Sequence, residues 1–257
     1  MSFALITGAS KGIGRAIARE FAARKINLLL IARSEELLSQ LAIELKSSCH
    51  VEVFYLAVDL SEPHAAKKIF DWCAEKKFIV TILVNNAGYG LSGGFDDHPA
   101  DQHINLLQVN MIAPVELISL FLPHLKQQKK SYILNIGSSS AYQAVPFMGV
   151  YSASKSFIVN FTRALKYELK DSNVVVTLVS PGVTASEFNA TARIPEKGLK
   201  AAEKISMTPE EVAKIAVKSL FKEKTEVVVG FLTKLTVFFV GLMPKKLTEK
   251  IGSKFYK

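Results

Sequence analysis

A glycine-rich turn near the N-terminus constrains the fold of this chain more than any other feature of its sequence. The apolar run from Phe3 to Ile6 stops at TGASKGIG, and the segment RAIAREFAARK that follows places apolar residues on one helical face. Strand, glycine turn and helix in this order are typical of a dinucleotide-binding unit, in which a phosphate meets the free amides of the helix N-terminus. The glycines are Gly8, Gly12 and Gly14, in the spacing GxxxGxG. The alternative is a glycine-containing turn with no ligand.

Strand-like apolar runs and helical patterns alternate along the rest of the chain. The strand-like runs after the first are 27–32, 51–58, 79–84, 132–136, 174–179 and 226–230. The helical patterns cover 35–46, 63–75, 101–128, 151–170 and a segment that begins with a capping box at Thr208. This alternation predicts an α/β fold: one doubly wound parallel sheet of about seven strands over 1–230, with helices on both faces.

The end of the second strand carries a basic residue where many dinucleotide-binding folds carry an acid. Arg33 follows Ala32 there, and Lys11 stands inside the glycine turn. An acid at this position binds the ribose 2′-hydroxyl of NAD, whereas an arginine accommodates the 2′-phosphate of NADP. The sequence therefore predicts NADP(H) as cofactor. The alternative is that Arg33 is a solvated charge at a strand end.

A hydroxyl, a phenol and an ammonium group follow the fifth strand. Ser138 comes where the run YILNI ends, and Tyr151 and Lys155 lie four residues apart in a helical pattern, so their side chains share one face. Together they predict a proton-donating site beside a bound carbonyl. On its own the spacing YxxxK is a weak signal, and Tyr151 could be an ordinary residue that packs its ring and keeps its hydroxyl wet.

A distortion is predicted in the long helix over 101–128. Asn110 lies near its middle, and Pro114, four residues later, cannot donate a hydrogen bond to the Asn110 carbonyl. A carbonyl released in this way can hold a water molecule and so take part in a proton relay. The alternative is that Asn110 is simply exposed.

Charge and composition exclude several classes of function. The formal net charge is +9, and the segment from Phe231 onward contributes +5 of it, with six lysines against Glu249. No basic stripe with interleaved aromatic residues is present, so we expect no nucleic-acid partner. Cys49 and Cys73 are isolated and the five histidines are scattered, which predicts reduced thiols and no metal site. Without a charged leader before the first apolar run, we expect a cytoplasmic protein.

Taken together, these motifs resemble the short-chain dehydrogenase/reductase family over nearly the whole chain. The matching motifs are TGASKGIG (7–14), Asp59, NNAG (85–88), Asn110, Ser138, YSASK (151–155) and PGVT (181–184). The resemblance implies that Tyr151 is the general acid and base, that Lys155 favours its phenolate, that Ser138 binds the substrate oxygen and that Asn110 holds a relay water.

The resemblance also implies where the cofactor lies. Asp59 would reach the adenine of the cofactor, and Asn86 and Gly88 would pack on its ribose side. The 181–184 turn would contact the carboxamide of the nicotinamide. The implied cofactor-binding residues are Gly8, Ser10, Lys11, Gly12, Ile13, Gly14, Arg33, Asp59, Leu60, Asn86, Ala87, Gly88, Tyr151, Lys155, Pro181, Gly182, Val183 and Thr184. Members of the family are commonly dimers or tetramers, which here would pair the helices 101–128 and 151–170.

The expected substrate is a small apolar ketone or aldehyde, interconverted with its alcohol. Residues expected near it are Tyr89, Leu91, Phe95, Tyr142, Val145, Pro146, Phe147, Met148 and Phe188, and the irregular segment 185–206 is the expected lid. The alternative from another class is a non-catalytic NADP-binding sensor or scaffold on the same fold. A sensor has no reason to retain the four catalytic residues.

The C-terminal extension, 231–257, combines an apolar run with clustered lysines. The run from Thr236 to Met243 is far shorter than the roughly 20 residues that a spanning helix needs. Two interpretations stay open: Leu235, Phe238, Phe239 and Leu242 cover the substrate pocket or a subunit interface, or the segment lies on an anionic membrane surface.

Overall fold

A seven-stranded parallel sheet runs through the computed structural model, which describes residues 1–185, 192 and 206–256. The strands are β1 (Ser2–Thr7), β2 (Asn27–Ala32), β3 (Val53–Ala57), β4 (Ile79–Asn85), β5 (Ser131–Ile136), β6 (Val174–Ser180) and β7 (Glu226–Val228). Their order is β3-β2-β1-β4-β5-β6-β7, so the direction of winding reverses between β1 and β4. The predicted doubly wound sheet is confirmed. At such a reversal the carboxyl ends of the strands leave a crevice for a ligand.

Seven helices lie before β7 within the described residues. They are α1 (Gly12–Ala23), α2 (Glu35–Cys49), α3 (Ala65–Glu75), α4 (Ala100–Leu107), α5 (Ala113–Lys126), α6 (Gly149–Glu168) and α7 (Pro209–Phe221). Six of them cover the sheet on its two faces, and the remaining one, α4, packs against α6. One core packs α1, α2 and α7 against the sheet, and a second core packs α3, α5 and α6 against the other face. The strands are continuous apolar runs because both of their faces are buried in this way.

The starts of two helices show how far local signals determine the element boundaries. The capping box that the sequence predicts at Thr208 is present, with Thr208 and Glu211 hydrogen bonded in both directions. The predicted start of α3 at Pro63 is wrong, because α3 begins at Ala65. His64 takes a left-handed conformation with a φ of 61°, which separates Pro63 from the helix.

A π-helical turn, Gln108–Ile112, joins α4 to α5 and carries Asn110. The predicted distortion at Asn110 is therefore confirmed, and Pro114 in the first turn of α5 gives its physical reason. By length and apolar composition, the 27-residue stretch Ala100–Lys126 is the one candidate for a membrane span among the described residues. Leu117 and Phe121 of this stretch are buried in the core beneath the sheet, as expected of a helix that forms a layer of the fold.

Two further helices follow β7. The first, Phe231–Leu242, we call the cap helix, and the second, Lys245–Tyr256, the terminal helix. The division into a domain over 1–230 and an extension over 231–257 stays a prediction. Apart from Ala185, Ala192 and Ser206, the predicted lid over 185–206 lies outside the described residues.

Candidate active site

The segments that follow strands β1 to β6 gather at one edge of the sheet, around a cavity of about 1530 Å³. A cavity for one small ligand is typically about 300–1,000 Å³, so this one has room for a dinucleotide and a second molecule. All of the predicted cofactor-binding residues except Gly14 line it. Of the four predicted catalytic residues, Ser138, Tyr151 and Lys155 line the cavity, whereas Asn110 lies behind its wall.

The glycine loop after β1 is joined to the turn after β4 by Thr7 and Asn86. The Thr7 hydroxyl donates to the Val84 carbonyl at 3.2 Å and accepts hydrogen bonds from the amides of Asn86 and Ala87, each at 3.1 Å. The side-chain amide of Asn86 donates to the carbonyls of Thr7 at 3.0 Å and Gly8 at 3.2 Å. Besides lining the cavity, Asn86 thus positions the loop. Thr7 is the first residue of the TGASKGIG motif, but its hydrogen bonds to the turn after β4 were not predicted.

Glycine is required at one position of this loop and at one position in the first turn of α1. Gly8 has a φ of 65°, and a Cβ on Gly14 would lie 2.2 Å from the carbonyl oxygen of Gly8. Gly14 therefore lets α1 pack directly against the loop rather than contacting a ligand. No described side chain caps the first amides of α1, and Gly12 and Ile13 at this end of the helix line the cavity. These amides fit a phosphate group, because a helix N-terminus favours an anion.

Arg33 and Asp59 stand at the end of the cavity formed by β2 and β3. Nη1 of Arg33 lies 3.8 Å from a carboxylate oxygen of Asp59, and the Arg33 side chain is 74% exposed. The other carboxylate oxygen of Asp59 accepts hydrogen bonds from the amide and hydroxyl of Ser61 at 2.9 and 2.8 Å. An exposed ion pair contributes about 0–1 kcal/mol, so Arg33 can turn to a ligand phosphate at little cost while Asp59 stays anchored.

Ser138 follows β5 and begins a short 3-10 turn, Ser139–Tyr142. Its hydroxyl oxygen accepts hydrogen bonds from the amide of Ser140 at 3.2 Å and from the Ser140 hydroxyl at 2.9 Å. A hydroxyl oxygen has two acceptor positions, and both are used here. The Ser138 proton is therefore directed elsewhere, and because Ser138 lines the cavity it can donate to a substrate oxygen.

Lys155 lies on α6, one turn after Tyr151, and is only 5% exposed. Its ammonium group donates to the carbonyl of Ile136 at 3.0 Å. Burial lowers the pKa of Lys155 from 10.5 to about 8. Lys155 is thus still mostly charged near neutral pH, as required of a cation that favours a neighbouring phenolate.

Asn110 is buried, so the alternative of an exposed Asn110 is wrong. Its side-chain amide donates to the Tyr89 carbonyl at 2.9 Å and to the Ser154 hydroxyl at 3.0 Å, and its oxygen accepts from the Tyr89 amide at 3.1 Å. A Cβ on Gly88 would lie 3.0 Å from that oxygen and 3.1 Å from Nζ of Lys155. Asn110 therefore holds the strand end after β4 against α6, and its role in a water relay stays a prediction.

A second tyrosine near Ser138 is unsuited to proton transfer. The Tyr142 hydroxyl donates to Glu226 at 2.5 Å and lies 3.1 Å from the Ser180 hydroxyl. Burial, together with the hydrogen bond to Glu226, raises the pKa of Tyr142 above its ordinary value. Tyr151, beside the Lys155 cation, is the better candidate for the general acid.

Comparison with known proteins identifies the family. Residues 2–197 match the family model for short chain dehydrogenase. The chain belongs to the short-chain dehydrogenase family. The assignment to this oxidoreductase family, made above from motifs, is thereby confirmed.

Relatives within the short-chain dehydrogenase family differ in length from this chain. The very-long-chain 3-oxoacyl-CoA reductase-A of Danio rerio is 34% identical over 190 residues, which cover 72% of this chain and 59% of that protein. The chain spans just under three fifths of the length of several curated relatives that it matches.

Solved structures of this family extend over nearly the whole chain. A 7β-hydroxysteroid dehydrogenase structure has a TM-score of 0.87 and 26% identity, covering 98% of this chain and 96% of its own. A short-chain dehydrogenase from Sphingobium yanoikuyae in complex with NADPH has a TM-score of 0.83 and 29% identity, and the match covers 93% of this chain and 92% of that one.

The far end of the cavity in this short-chain dehydrogenase is largely apolar. Three residues expected near the substrate line it: Tyr142, Val145 and Met148. Tyr89 also lines the cavity, but it lies near Arg33 and Asp59, whose charges act on its hydroxyl. Leu91 packs against the cluster that contains Tyr151. The prediction for Phe95 is wrong, since its side chain is 76% exposed and stacks on His103 at 4.7 Å between ring centroids.

Pro146 and Phe147 do not line the cavity either. Phe188 lies outside the described residues. The wall they were expected to form is completed by residues of the cap and terminal helices: Leu232, Thr233, Leu235, Thr236, Val237, Phe239, Val240, Met243, Thr248, Ile251 and Gly252. Of the four residues predicted to cover the pocket or an interface, Leu235 and Phe239 line the cavity, whereas Phe238 and Leu242 do not. The helical spacing of the cap-helix positions was the available signal.

Proposed function

We propose that this protein is an NADPH-dependent reductase of an apolar carbonyl compound, interconverting a ketone or aldehyde with its alcohol. The observation that carries the proposal is the arrangement of one cavity. A glycine loop suited to phosphate lies at one end, Ser138, Tyr151 and Lys155 line its wall, and apolar side chains line the other end.

The basic residues at the end of the cavity near the glycine loop support NADPH rather than NADH as the cofactor. Lys11 and Arg33 both line the cavity, and the exposed Arg33 head group can pair with a 2′-phosphate. The related dehydrogenase from Sphingobium yanoikuyae, which was solved with NADPH, supports the same choice. When bound, the nicotinamide supplies the hydride.

The roles of the protein side chains follow from their hydrogen bonds. Ser138, with both acceptor positions occupied by Ser140, donates to the substrate oxygen and orients the carbonyl group. Tyr151 transfers its proton to the same oxygen as negative charge develops there. Lys155, fixed on the Ile136 carbonyl, stabilises the phenolate that remains. In the oxidative direction Tyr151 acts as the base.

For the substrate, the apolar wall favours a carbonyl group attached to an extended hydrocarbon. Leu235 and Phe239 of the cap helix, and Met243 directly after it, line the cavity together with Val145 and Met148. The names of relatives point the same way, since they include a very-long-chain 3-oxoacyl-CoA reductase and a 7β-hydroxysteroid dehydrogenase. A 3-oxoacyl chain and a steroid ketone are therefore the first compounds to assay.

The test is NADPH consumption with a panel of such carbonyl compounds, for the wild type and for Tyr151→Phe. We expect Tyr151→Phe to lower turnover by about two to four orders of magnitude, with NADPH binding nearly intact. Tyr142→Phe is the matched control, and we expect a much smaller loss because its hydroxyl contacts Glu226 and Ser180.

Near-normal turnover by Tyr151→Phe would rule out its assignment as general acid. Tight NADPH binding without turnover of any carbonyl compound would favour the non-catalytic sensor instead.

A further inference from the structure

The cap helix has two apolar faces, and only one of them lines the cavity. Leu232, Leu235 and Phe239 lie on the cavity face, at the three- and four-residue spacing of one side of a helix. The helix is apolar on nearly its whole circumference, yet none of its residues is buried. A helix of this composition is normally buried inside a protein or in contact with lipid.

The other side of the cap helix, which we call the outer face, carries Phe231, Phe238 and Leu242. These side chains are 74%, 62% and 69% exposed. They lie seven and then four residues apart, so they share one side of the helix. Among the residues that the structure describes, none covers this patch.

Exposed lysines lie on the cap helix and on the terminal helix that follows it. Lys234 lies on the cap helix between Phe231 and Phe238, and the terminal helix adds Lys245, Lys246, Lys250 and Lys254, all exposed. Glu249 is the single acidic residue of the sequence from 231 onward. The exposed surface of these two helices is therefore basic, whereas beside Phe238 one surface depression is lined by both Lys224 and Glu226.

The combination of charge and apolar area selects one type of partner. A second copy of the chain seated on the outer face would bring two lysine clusters together, and like charges repel. An anionic lipid surface instead receives the aromatic rings at the level of the acyl chains and the lysines at the phosphates. The cap helix rises about 18 Å over its 12 residues, which is too short to cross a bilayer, so it would lie along the surface.

We propose that the outer face of the cap helix, with the lysines of the terminal helix, docks on the surface of an anionic membrane. Because the opposite side of the same helix lines the cavity, docking places one wall of the cavity at the lipid boundary. An apolar molecule dissolved in the bilayer then reaches the cavity over a short path. The docking itself does not depend on the proposed reductase activity.

The lysines are tested with Lys245→Gln and Lys246→Gln together, using sedimentation with vesicles. The vesicles are phosphatidylcholine alone or phosphatidylcholine with phosphatidylserine, at low and at high salt. We expect wild-type binding to the mixed vesicles only, weakened by salt. The double variant should bind about 25-fold more weakly, from about fivefold for each lysine near the surface. The matched control removes the same charge from exposed Lys76 and Lys77 and should bind like the wild type.

The apolar contribution is tested with Phe238→Ser and Leu242→Ser together. We expect a loss of vesicle binding by more than about tenfold, because two large side chains no longer enter the lipid. Thermal unfolding monitored by circular dichroism confirms that the variant is folded, as these exposed side chains contribute little to the core.

Three results would each overturn the proposal. The first is a wild-type protein that does not sediment with mixed vesicles. The second is binding that neither double variant weakens. The third is a double variant Phe238→Ser with Leu242→Ser that changes its oligomeric state, measured by analytical ultracentrifugation, but binds vesicles as the wild type does. That result would identify a second copy of the chain as the partner of the outer face.

Discussion

The buried ammonium of Lys155 makes the stability of the protein depend on pH in a direction that can be calculated. Its pKa is lowered from 10.5 in the unfolded chain to about 8 by burial. Between these values the unfolded chain binds the proton and the native protein does not, so the free energy of unfolding rises with pH. The full difference corresponds to about 3 kcal/mol, present above the unfolded pKa and lost as the pH falls through about 8.

This prediction is measured by urea unfolding of the wild type and of Lys155→Met without cofactor, at about pH 7 and about pH 10. We compare the two proteins by subtracting the free energy of unfolding of the variant from that of the wild type. This difference should rise by about 2 kcal/mol between the two pH values, since the unfolded pKa of 10.5 lies above pH 10 and part of the effect is not reached. Burial also raises the pKa of Cys73, to about 12, but that effect is common to both proteins and cancels.

Lys76→Met is the matched control, because Lys76 is exposed at the end of α3. For this control the corresponding difference should be flat within about 0.5 kcal/mol. A flat or falling difference for Lys155→Met would refute the reasoning. It would mean that Lys155 binds its proton at least as tightly in the native protein as in the unfolded chain.

Two further predictions concern the two ends of the cavity. Arg33→Asp should move cofactor preference from NADPH toward NADH, because a cation that pairs with the 2′-phosphate is replaced by an acceptor for the ribose hydroxyl. Titration of both cofactors into both proteins measures the preference. An unchanged preference would assign the discrimination to Lys11. Ser140→Ala should lower kcat about fivefold without changing the affinity for NADPH, since Ser138 loses one of the hydrogen bonds that direct its proton. Ser140→Thr should restore kcat, and a Ser140→Ala enzyme with normal kcat would contradict this positioning role.

The architecture was predictable because its signals are local. Strands buried on both faces read as continuous apolar runs, and the glycine loop and the distortion at Asn110 follow from residues close in sequence. The start of α3 was not predictable, because nothing local indicates that His64 takes a left-handed conformation.

The site was predictable where motifs exist and not elsewhere. The residues that line the cofactor end follow strand ends, so topology brings them together. The substrate end depends on side-chain direction in loops: Phe95 turns outward although its residue type suggested a pocket. The contribution of the cap helix required knowing that residues after β7 fold back over the Ser139–Tyr142 turn that follows β5, which is a tertiary fact with no local signal.

The hydrogen bonds between Thr7 and the turn after β4 have a consequence for the order of folding. They join residues 77 to 80 positions apart, across the point where the two halves of the sheet meet. The phosphate loop therefore takes its shape only after this long-range pairing, which is a slow step in folding. Partly folded chains lack the loop, so they do not bind a dinucleotide and are not stabilised by it. The cofactor thus stabilises the native state alone, by about 2.7 kcal/mol at a hundredfold excess over its Kd.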